Sequence, residues 1–407
     1  MSRAIDAERV IADLRELQRR TGDGDGAQRL CWGDGWRRAR EFLGELLGEL
    51  GLEPEIDEAG NAWAYLPGQE EPALAVGSHL DSVPDGGWLD GALGVMGALG
   101  VMRAWAASDE RPSRTIALVD WADEEGARFG RSLFGSSAAA GTLDPAELAN
   151  ARDADGRRAA GVLAENGVDL ERVLECGSRL ERVGSYLELH IEQGPVLEAE
   201  GIRAAAVSGC AGVERVRFVV SGQAAHAGTT PMDARRDPGL VAATTALRIE
   251  EIARAEGGVG TVGAMTFDPG IPTAVPGTVS MLVDLRHRDP AALARMLETA
   301  RESIRSDAAE RHCEVGEEPV WRIEPISFDP ELVELAREAC ERVTGTAYEL
   351  PSGALHDAAS MAPLLPTAMV FSPSAGGISH AREEDTPEAD LISAIEAFGT
   401  LANLRLG

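Results

Sequence analysis

The sequence contains no lysine, so all 38 of its basic residues are arginine. That absence excludes mechanisms needing an internal lysine, among them Schiff-base catalysis and the phosphate-binding loop. Cysteine is sparse and scattered: Cys31, Cys176, Cys210, Cys313 and Cys340 form no C-x-x-C pair. An odd, dispersed set reads as reduced thiols and excludes both a disulfide framework and a thiolate metal site. No stretch approaches a membrane span, and Met1-Ser-Arg-Ala-Ile-Asp6 lacks the apolar centre of a secretion signal. These features predict a cytoplasmic protein. The formal net charge of −30 excludes a general attraction to nucleic acid or to an anionic membrane. A small anionic substrate would need a local arginine.

What is present is a long chain with material for sizeable cores: 407 residues, 44% hydrophobic. That length predicts two domains. No internal repeat or low-complexity linker interrupts it. Residues 4–20 and 34–50 have helical periodicity, with Ala7, Val10, Leu14 and Leu17 on one side of the first. Strands are expected at 61–66, 73–76, 115–121, 186–194 and 202–207, with a helix over 91–107 and a charged, helical stretch over 145–177. Beyond Gly209 the rhythm changes to strand 213–220, helix 238–255, strands 259–267 and 279–286, a helix from Asp289-Pro290 to about His312, and strand 320–326. This βαββαβ order is the ferredoxin-like arrangement. The predicted fold is therefore α/β: a mixed-sheet catalytic domain made of 1–210 and 327–407, with an inserted domain at 211–326.

The chemistry concentrates where apolar strands end in Gly-rich or acidic loops, the edge at which open α/β sheets build their sites. After Leu74–Val76 comes Gly77-Ser-His-Leu-Asp-Ser82, then Asp90-Gly91. His79 is a candidate metal ligand, and Asp81, two residues on along an extended segment, can take the second ring N–H and orient it. Asp90, at the start of a helix, could bridge two cations. Strand 115–121 runs into Ala122-Asp-Glu-Glu-Gly126, strand 186–194 carries His190, and Met369-Val-Phe371 leads to His380. Together with Asp90 and one of Glu124 and Glu125, the three histidines would supply ligands for two zinc-like cations. The other glutamate would remain free as a general base. In the inserted domain, His226 sits in Ser221-Gly-Gln-Ala-Ala-His-Ala-Gly228, a small-residue setting suited to donating to an oxyanion. Arg286, with Asp284 on the same strand face, suits a substrate carboxylate.

These motifs carry a resemblance. Gly77-Ser-His-Leu-Asp-Ser82, Asp90-Gly91 with Gly94-Val95, Glu124-Glu-Gly-Ala-Arg-Phe129, His190-Ile-Glu-Gln-Gly-Pro195, His226-Ala-Gly-Thr-Thr-Pro-Met232 and Ile378-Ser-His380 run nearly the whole chain. In this order they resemble the metal-dependent amidohydrolases of the aminoacylase and carboxypeptidase superfamily. Within it, the chain is similar to the hydantoinase/carbamoylase branch, which contains N-carbamoyl-L-amino-acid hydrolases and allantoate amidohydrolases. The resemblance implies a bridging Asp90, with His79 and His190 completing one metal and Glu125 and His380 the other. It makes Glu124 the base, places Gln193 near the substrate, and implies a homodimer formed through an inserted lid carrying His226 and Arg286. The metals of the family are zinc, manganese, nickel or cobalt.

The chain also departs from the branch. Thr273-Ala-Val-Pro-Gly277 replaces the usual Asn-Val-Val-Pro-Gly, so a substrate-contacting asparagine is lost. Ser352-Gly-Ala-Leu-His-Asp-Ala-Ala359 replaces Ser-Gly-Ala-Gly-His-Asp-Ala-Gln, placing Leu355 beside His356, a candidate substrate contact. The expected activity is hydrolysis of a C–N bond in a small ureido or amide acid. Glu124 would take a proton from water, the hydroxide would attack the carbamoyl or amide carbon, the cations and His226 would stabilise the oxyanion, and Glu124 would return the proton to the leaving nitrogen. An N-carbamoyl-L-amino acid is the leading substrate, followed by allantoate or another ureido acid; His190-Ile-Glu-Gln-Gly-Pro195 disfavours a dipeptide or N-acyl amino acid. A non-catalytic metal-binding protein is the rival from another class, and it would have no use for the spare glutamate.

Overall fold

The computed structural model describes residues 3–406; the terminal residues Met1, Ser2 and Gly407, included in the stretches read above, lie outside the described residues. The chain forms two units, one running to Ser208 and resuming at Phe328, the other Gly209–Ser327.

In the first unit the apolar runs become β1 (Ala62–Leu66), β2 (Glu70–His79), β3 (Arg114–Trp121), β4 (Val183–Ile191), β5 (Ala205–Cys210) and β6 (Thr367–Ser372). They belong to a nine-stranded sheet and follow one another in the order β5-β6-β4-β2-β3-β1. The neighbours β6, β4, β2 and β3 are parallel, while β5 and β1 pair antiparallel on either side. Interior parallel strands are buried on both faces, which is why 115–121 reads as an unbroken buried run. The expected strand at 73–76 is longer than its apolar core: β2 continues through Gly77 and Ser78 to His79. His79 is thus the last strand residue, held opposite Trp121, rather than part of the loop.

The helices of this unit include α1 (Ala7–Thr21), α2 (Asp34–Gly48), α3 (Ala92–Ala106), α4 (Pro330–Thr344) and α5 (Glu388–Leu406). Asp6 caps α1 by accepting from the Arg9 N–H, and α1 buries Ala7, Val10, Leu14 and Leu17, the stripe visible in the sequence. α3 is buried nearly all round. Its Val95 and Leu99 share one core with Leu74 and Val76 of β2, Leu187 and Leu189 of β4 and Phe398 of α5. Each such side chain contributes roughly 1.5–3 kcal/mol on burial, so the strand ends that carry the polar residues rest on a rigid base.

The second unit is an antiparallel four-stranded sheet, in the order Val259–Asp268, Thr278–His287, Gly212–Ser221, Glu314–Ile323. Helices Pro238–Glu256 and Pro290–Glu310 share a core with its Val216, Phe218, Val279 and Val283. Asp289 caps the second helix through the Ala292 N–H at 2.7 Å. The last strand starts at Glu314, ahead of the expected Val320. An acidic run and Pro319 hide it from sequence reading; the strand lies at the sheet edge, where proline is tolerated, and the register shifts beside it.

Candidate metal centre

The predicted ligands meet at the carboxyl ends of the four parallel strands. His79 closes β2, the Asp123-Glu124-Glu125 turn follows β3, His190 lies one residue from the end of β4, and His380 follows β6. His79, Asp90 and His190 place one donor atom each within 4.8 Å of one another, as do Asp90, Glu125 and His380. Asp90 is common to both groups and divides its oxygens between them. Oδ1 lies 3.5 Å from His79 Nε2 and 3.2 Å from His190 Nε2. Oδ2 lies 3.4 Å from His380 Nε2, which is itself 3.4 Å from Glu125 Oε2. Nitrogen and carboxylate donors in two sets joined by one carboxylate fit a pair of divalent cations of the zinc type.

Backbone carbonyls orient the rings. His79 Nδ1 faces the Asp81 carbonyl at 3.1 Å and His190 Nδ1 the Ile191 carbonyl at 2.9 Å. A proton on each Nδ1 leaves Nε2 with its lone pair toward Asp90. This modifies the expectation for Asp81: its carboxylate is 3.6 Å from His79 Nδ1, farther than its own carbonyl. The carboxylate instead accepts the N–H groups of Glu124 and Glu125, both at 3.2 Å. Asp81 therefore fixes the glutamate turn as well as the ring. Gly91 serves the same crowding: its φ is +63°, and a Cβ there would come within 2.3 Å of the His79 ring.

Glu124 belongs to neither donor group. Its Oε2 lies 3.6 Å from His79 Nε2, and the residue is 8% exposed. Burial, with Asp357, Glu125 and Asp81 nearby, raises its carboxyl well above the usual range against the pull of His79. Burial and the Asp90 charge push Glu125 up to about 7. His380, bonded to Asp90 and facing Glu125, is raised to about 9. Asp90 moves the other way: despite burial, His190 and His380 hold it well below the carboxylate range. A cluster so rich in acids retains protons when no cation is there to displace them.

Gln193 lies at the centre itself, its Nε2 2.8 Å from Asp90 Oδ2 and 3.3 Å from His380 Nε2. Its Oε1 is buried without a hydrogen-bond partner among the described residues. Asp123, Gln193 and His380 have φ values of 55°, 58° and 56°. Such left-handed backbone in side-chain-bearing residues costs about 1–3 kcal/mol each and gathers at functional sites. His356 differs from its expected place as a substrate contact. It is 2% exposed, its ring 4.4 Å from that of His190 and its Nε2 2.9 Å from Ser352 Oγ. Buried so, it supports His190 rather than presenting a surface to substrate. Sequence reading missed Asp123, which accepts the Trp32 indole N–H at 3.0 Å, and Glu384, whose carboxylate accepts the Asp90 N–H at 3.0 Å. The first is masked by the glutamates it precedes, the second by the exposed acidic residues around it.

The remaining predicted residues lie in the second unit. His226 Nδ1 accepts the N–H groups of Gly228 and Thr229 at 3.1 and 3.2 Å, which puts the proton of the neutral ring on Nε2. His226 pairs with Ala274, and the Thr273 carbonyl accepts the Ala227 N–H at 2.9 Å, so Thr273 and His226 share one small ribbon. Arg286 Nε donates to Asp284 Oδ1 at 2.8 Å, as the sequence suggested, and Arg215 takes the other oxygen.

The model of Peptidase family M20/M25/M40 matches residues 75–404. The chain belongs to this family. Among the M20 relatives it resembles is the N-carbamoyl-L-amino acid amidohydrolase of Geobacillus stearothermophilus, 36% identical over 99% of this chain and 100% of the relative. The allantoate amidohydrolase of Escherichia coli K12 is 32% identical over 92% of each chain. A crystal structure of an amidase of the hydantoinase/carbamoylase family from Burkholderia multivorans is similar with a TM-score of 0.89 and 32% identity, covering 99% of this chain and 98% of that one. The branch suggested by the motifs is thus the branch of the relatives. Among the described residues, no helix of this M20 chain is long and apolar enough to cross a membrane.

Proposed function

We propose that the protein is a cytoplasmic, two-cation amidohydrolase that cleaves a non-peptide C–N bond of a small ureido acid, with an N-carbamoyl-L-amino acid as its leading substrate and allantoate as the alternative. The division of Asp90 between two donor sets, with Glu124 outside both, carries this reading. Two divalent ions held by His79, Asp90, His190, Glu125 and His380 would polarise the scissile carbonyl and acidify water. Zinc fits the donors, and manganese, cobalt or nickel can use the same set. A spare carboxylate has a purpose in a hydrolase that it lacks in a metal-storage or binding protein.

The chain's own residues divide the work. Glu124 accepts a proton from the attacking water and delivers it to the leaving nitrogen as the tetrahedral intermediate collapses. Asp81 keeps the Glu124 and Glu125 backbones in place. His226, with its proton on Nε2, donates to the developing oxyanion. Arg286, steadied by Asp284, anchors the substrate carboxylate, while Gln193 and Thr273 contact the ureido group. The five free cysteines suit a reducing compartment. Among the described residues the outer edge of Val259–Asp268 pairs with no strand and Leu247 is exposed, which supports a homodimer assembled through the second unit.

A panel of N-carbamoyl-L-amino acids, allantoate, dipeptides and N-acyl amino acids, assayed with zinc, manganese, cobalt or nickel added to the stripped protein, tests this reading. Release of ammonia from the ureido acids supports it. Hydrolysis confined to dipeptides or N-acyl amino acids, or no hydrolysis with two ions bound, refutes it.

A further inference from the structure

Glu384 lies four residues beyond His380 in Arg382-Glu-Glu-Asp385, whose other members are exposed, yet it is only 1% exposed itself. Its Oε1 accepts the backbone N–H groups of Leu89 and Asp90 at 3.1 and 3.0 Å, and its Oε2 accepts the Ser379 hydroxyl at 2.9 Å. Gly87 allows this approach, since a Cβ there would come within 1.9 Å of the carboxylate. The fully buried Arg29 guanidinium, donating to the Leu80 carbonyl at 2.8 Å, supplies a compensating positive charge. One carboxylate thereby ties the loop before α3 to the loop carrying His380.

Ser379 gives the tie a second consequence. Its Oγ is also 3.0 Å from Asp90 Oδ2, but a serine hydroxyl has one proton to donate. Asp90 Oδ2 meanwhile receives the Gln193 amide at 2.8 Å. With Ser379 and Gln193 as donors and His380 Nε2 at 3.4 Å, that oxygen is crowded, and a cation binding there must displace a donor. Glu384 offers the displaced hydroxyl another acceptor at almost the same distance.

We infer that Glu384 is a positioning residue of the cation site: it fixes the Asp90 backbone and draws the competing Ser379 hydroxyl away from Asp90 Oδ2 when a cation occupies that oxygen. The hydroxyl rotates and no covalent bond changes. This rests on the two-cation reading above.

The test titrates zinc into the chelator-stripped full chain against a competing chromophoric chelator, resolving two dissociation constants, with circular dichroism melts confirming the fold of each variant. In Glu384→Gln the amide oxygen can keep the two backbone bonds, but the amide nitrogen faces Ser379 as a donor and leaves its hydroxyl only Asp90 to donate to. One zinc should then bind about 10–100-fold more weakly, the usual effect of losing such a supporting partner. Adding Ser379→Ala should restore the wild-type range, because the competing hydroxyl is gone; a merely structural role for Glu384 predicts no such rescue. Equal weakening in the single and double variants, or wild-type affinity in Glu384→Gln, overturns the inference while leaving the two-cation reading intact. Fewer than two ions on the wild type overturns both. Should Glu384→Gln fail to fold, Ser379→Ala alone decides: zinc binding at least as tight as wild type is expected, and roughly tenfold weaker binding overturns the inference.

Discussion

Replacing Glu124 by glutamine removes the proton acceptor and little else. The side chain keeps its volume, and the backbone remains held at both ends, with its N–H on Asp81 Oδ1 at 3.2 Å and its carbonyl accepting from Leu133 at 2.6 Å. Neither three-residue donor group contains Glu124, so both cations should stay. Positioned proton transfer contributes typically about 10²–10⁴-fold. The loss expected in kcat is therefore of that order, about 2.7–5.4 kcal/mol in barrier height. KM should change little, because the group acts on water and on the leaving nitrogen, not on the parts of the substrate that anchor it. Ammonia release from an N-carbamoyl-L-amino acid, with metal content measured on the same preparation by elemental analysis, checks both halves of the claim. A glutamine variant that keeps two metals and near-normal turnover would move the base elsewhere. One that loses a metal would make Glu124 a ligand.

Stripping the protein with a chelator should abolish hydrolysis, and activity should return as two equivalents of zinc or manganese are added; full activity at one equivalent would contradict the bridging role of Asp90. Cation binding must compete with protons on His380, raised to about 9, and on Glu125, raised to about 7, so affinity should fall as pH is lowered through both values, which metal titrations at stepped pH would reveal. His226→Ala should lower kcat through loss of an oxyanion donor, by roughly 10²–10³-fold, whereas Arg286→Ala should chiefly raise KM; the same split for both variants in steady-state kinetics would refute their separate roles. Thr273→Asn should raise activity on common N-carbamoyl-L-amino acids by restoring an amide that can both donate and accept, and high wild-type activity unimproved by the change would make the replacement neutral.

The strands and the ligand loops were legible because both obey local rules. Parallel interior strands are continuous apolar runs, and metal-capable side chains at their carboxyl ends stand out against glycine and alanine, so His79, Asp90, His190, His380 and one of Glu124 and Glu125 could be named as candidates before their distances were known, while the choice of Glu125 as ligand came from the family resemblance. What remained hidden depends on which neighbour a group meets in space. Asp81 could be placed beside His79 from a two-residue spacing, but nothing in that spacing shows its carboxylate turning to the Glu124 and Glu125 amides. His356, a candidate substrate contact from the sequence, is buried with its ring 4.4 Å from that of His190. Glu384 sits in a charged, loop-like run and turns inward only because Gly87 leaves a space that no local pattern announces.

The same distinction explains where the backbone is strained. Asp123, Gln193 and His380 take left-handed conformations that are uncommon for any residue but glycine, and each belongs to a loop that must deliver a side chain to a point set by other loops. Local preference yields there to the geometry of the centre. Four strand ends in register bring the loops within reach of one another, but three of those loops must bend sharply to finish the approach. Their cost of about 1–3 kcal/mol per residue is carried by the apolar core of β2, β4, α3 and α5 immediately beneath. A ligand set assembled from four strand ends and the loops that follow them therefore depends for its precision on the sheet, and a substitution such as Leu189→Ala, in the core beside His190, acts on the same geometry as changes to the ligands.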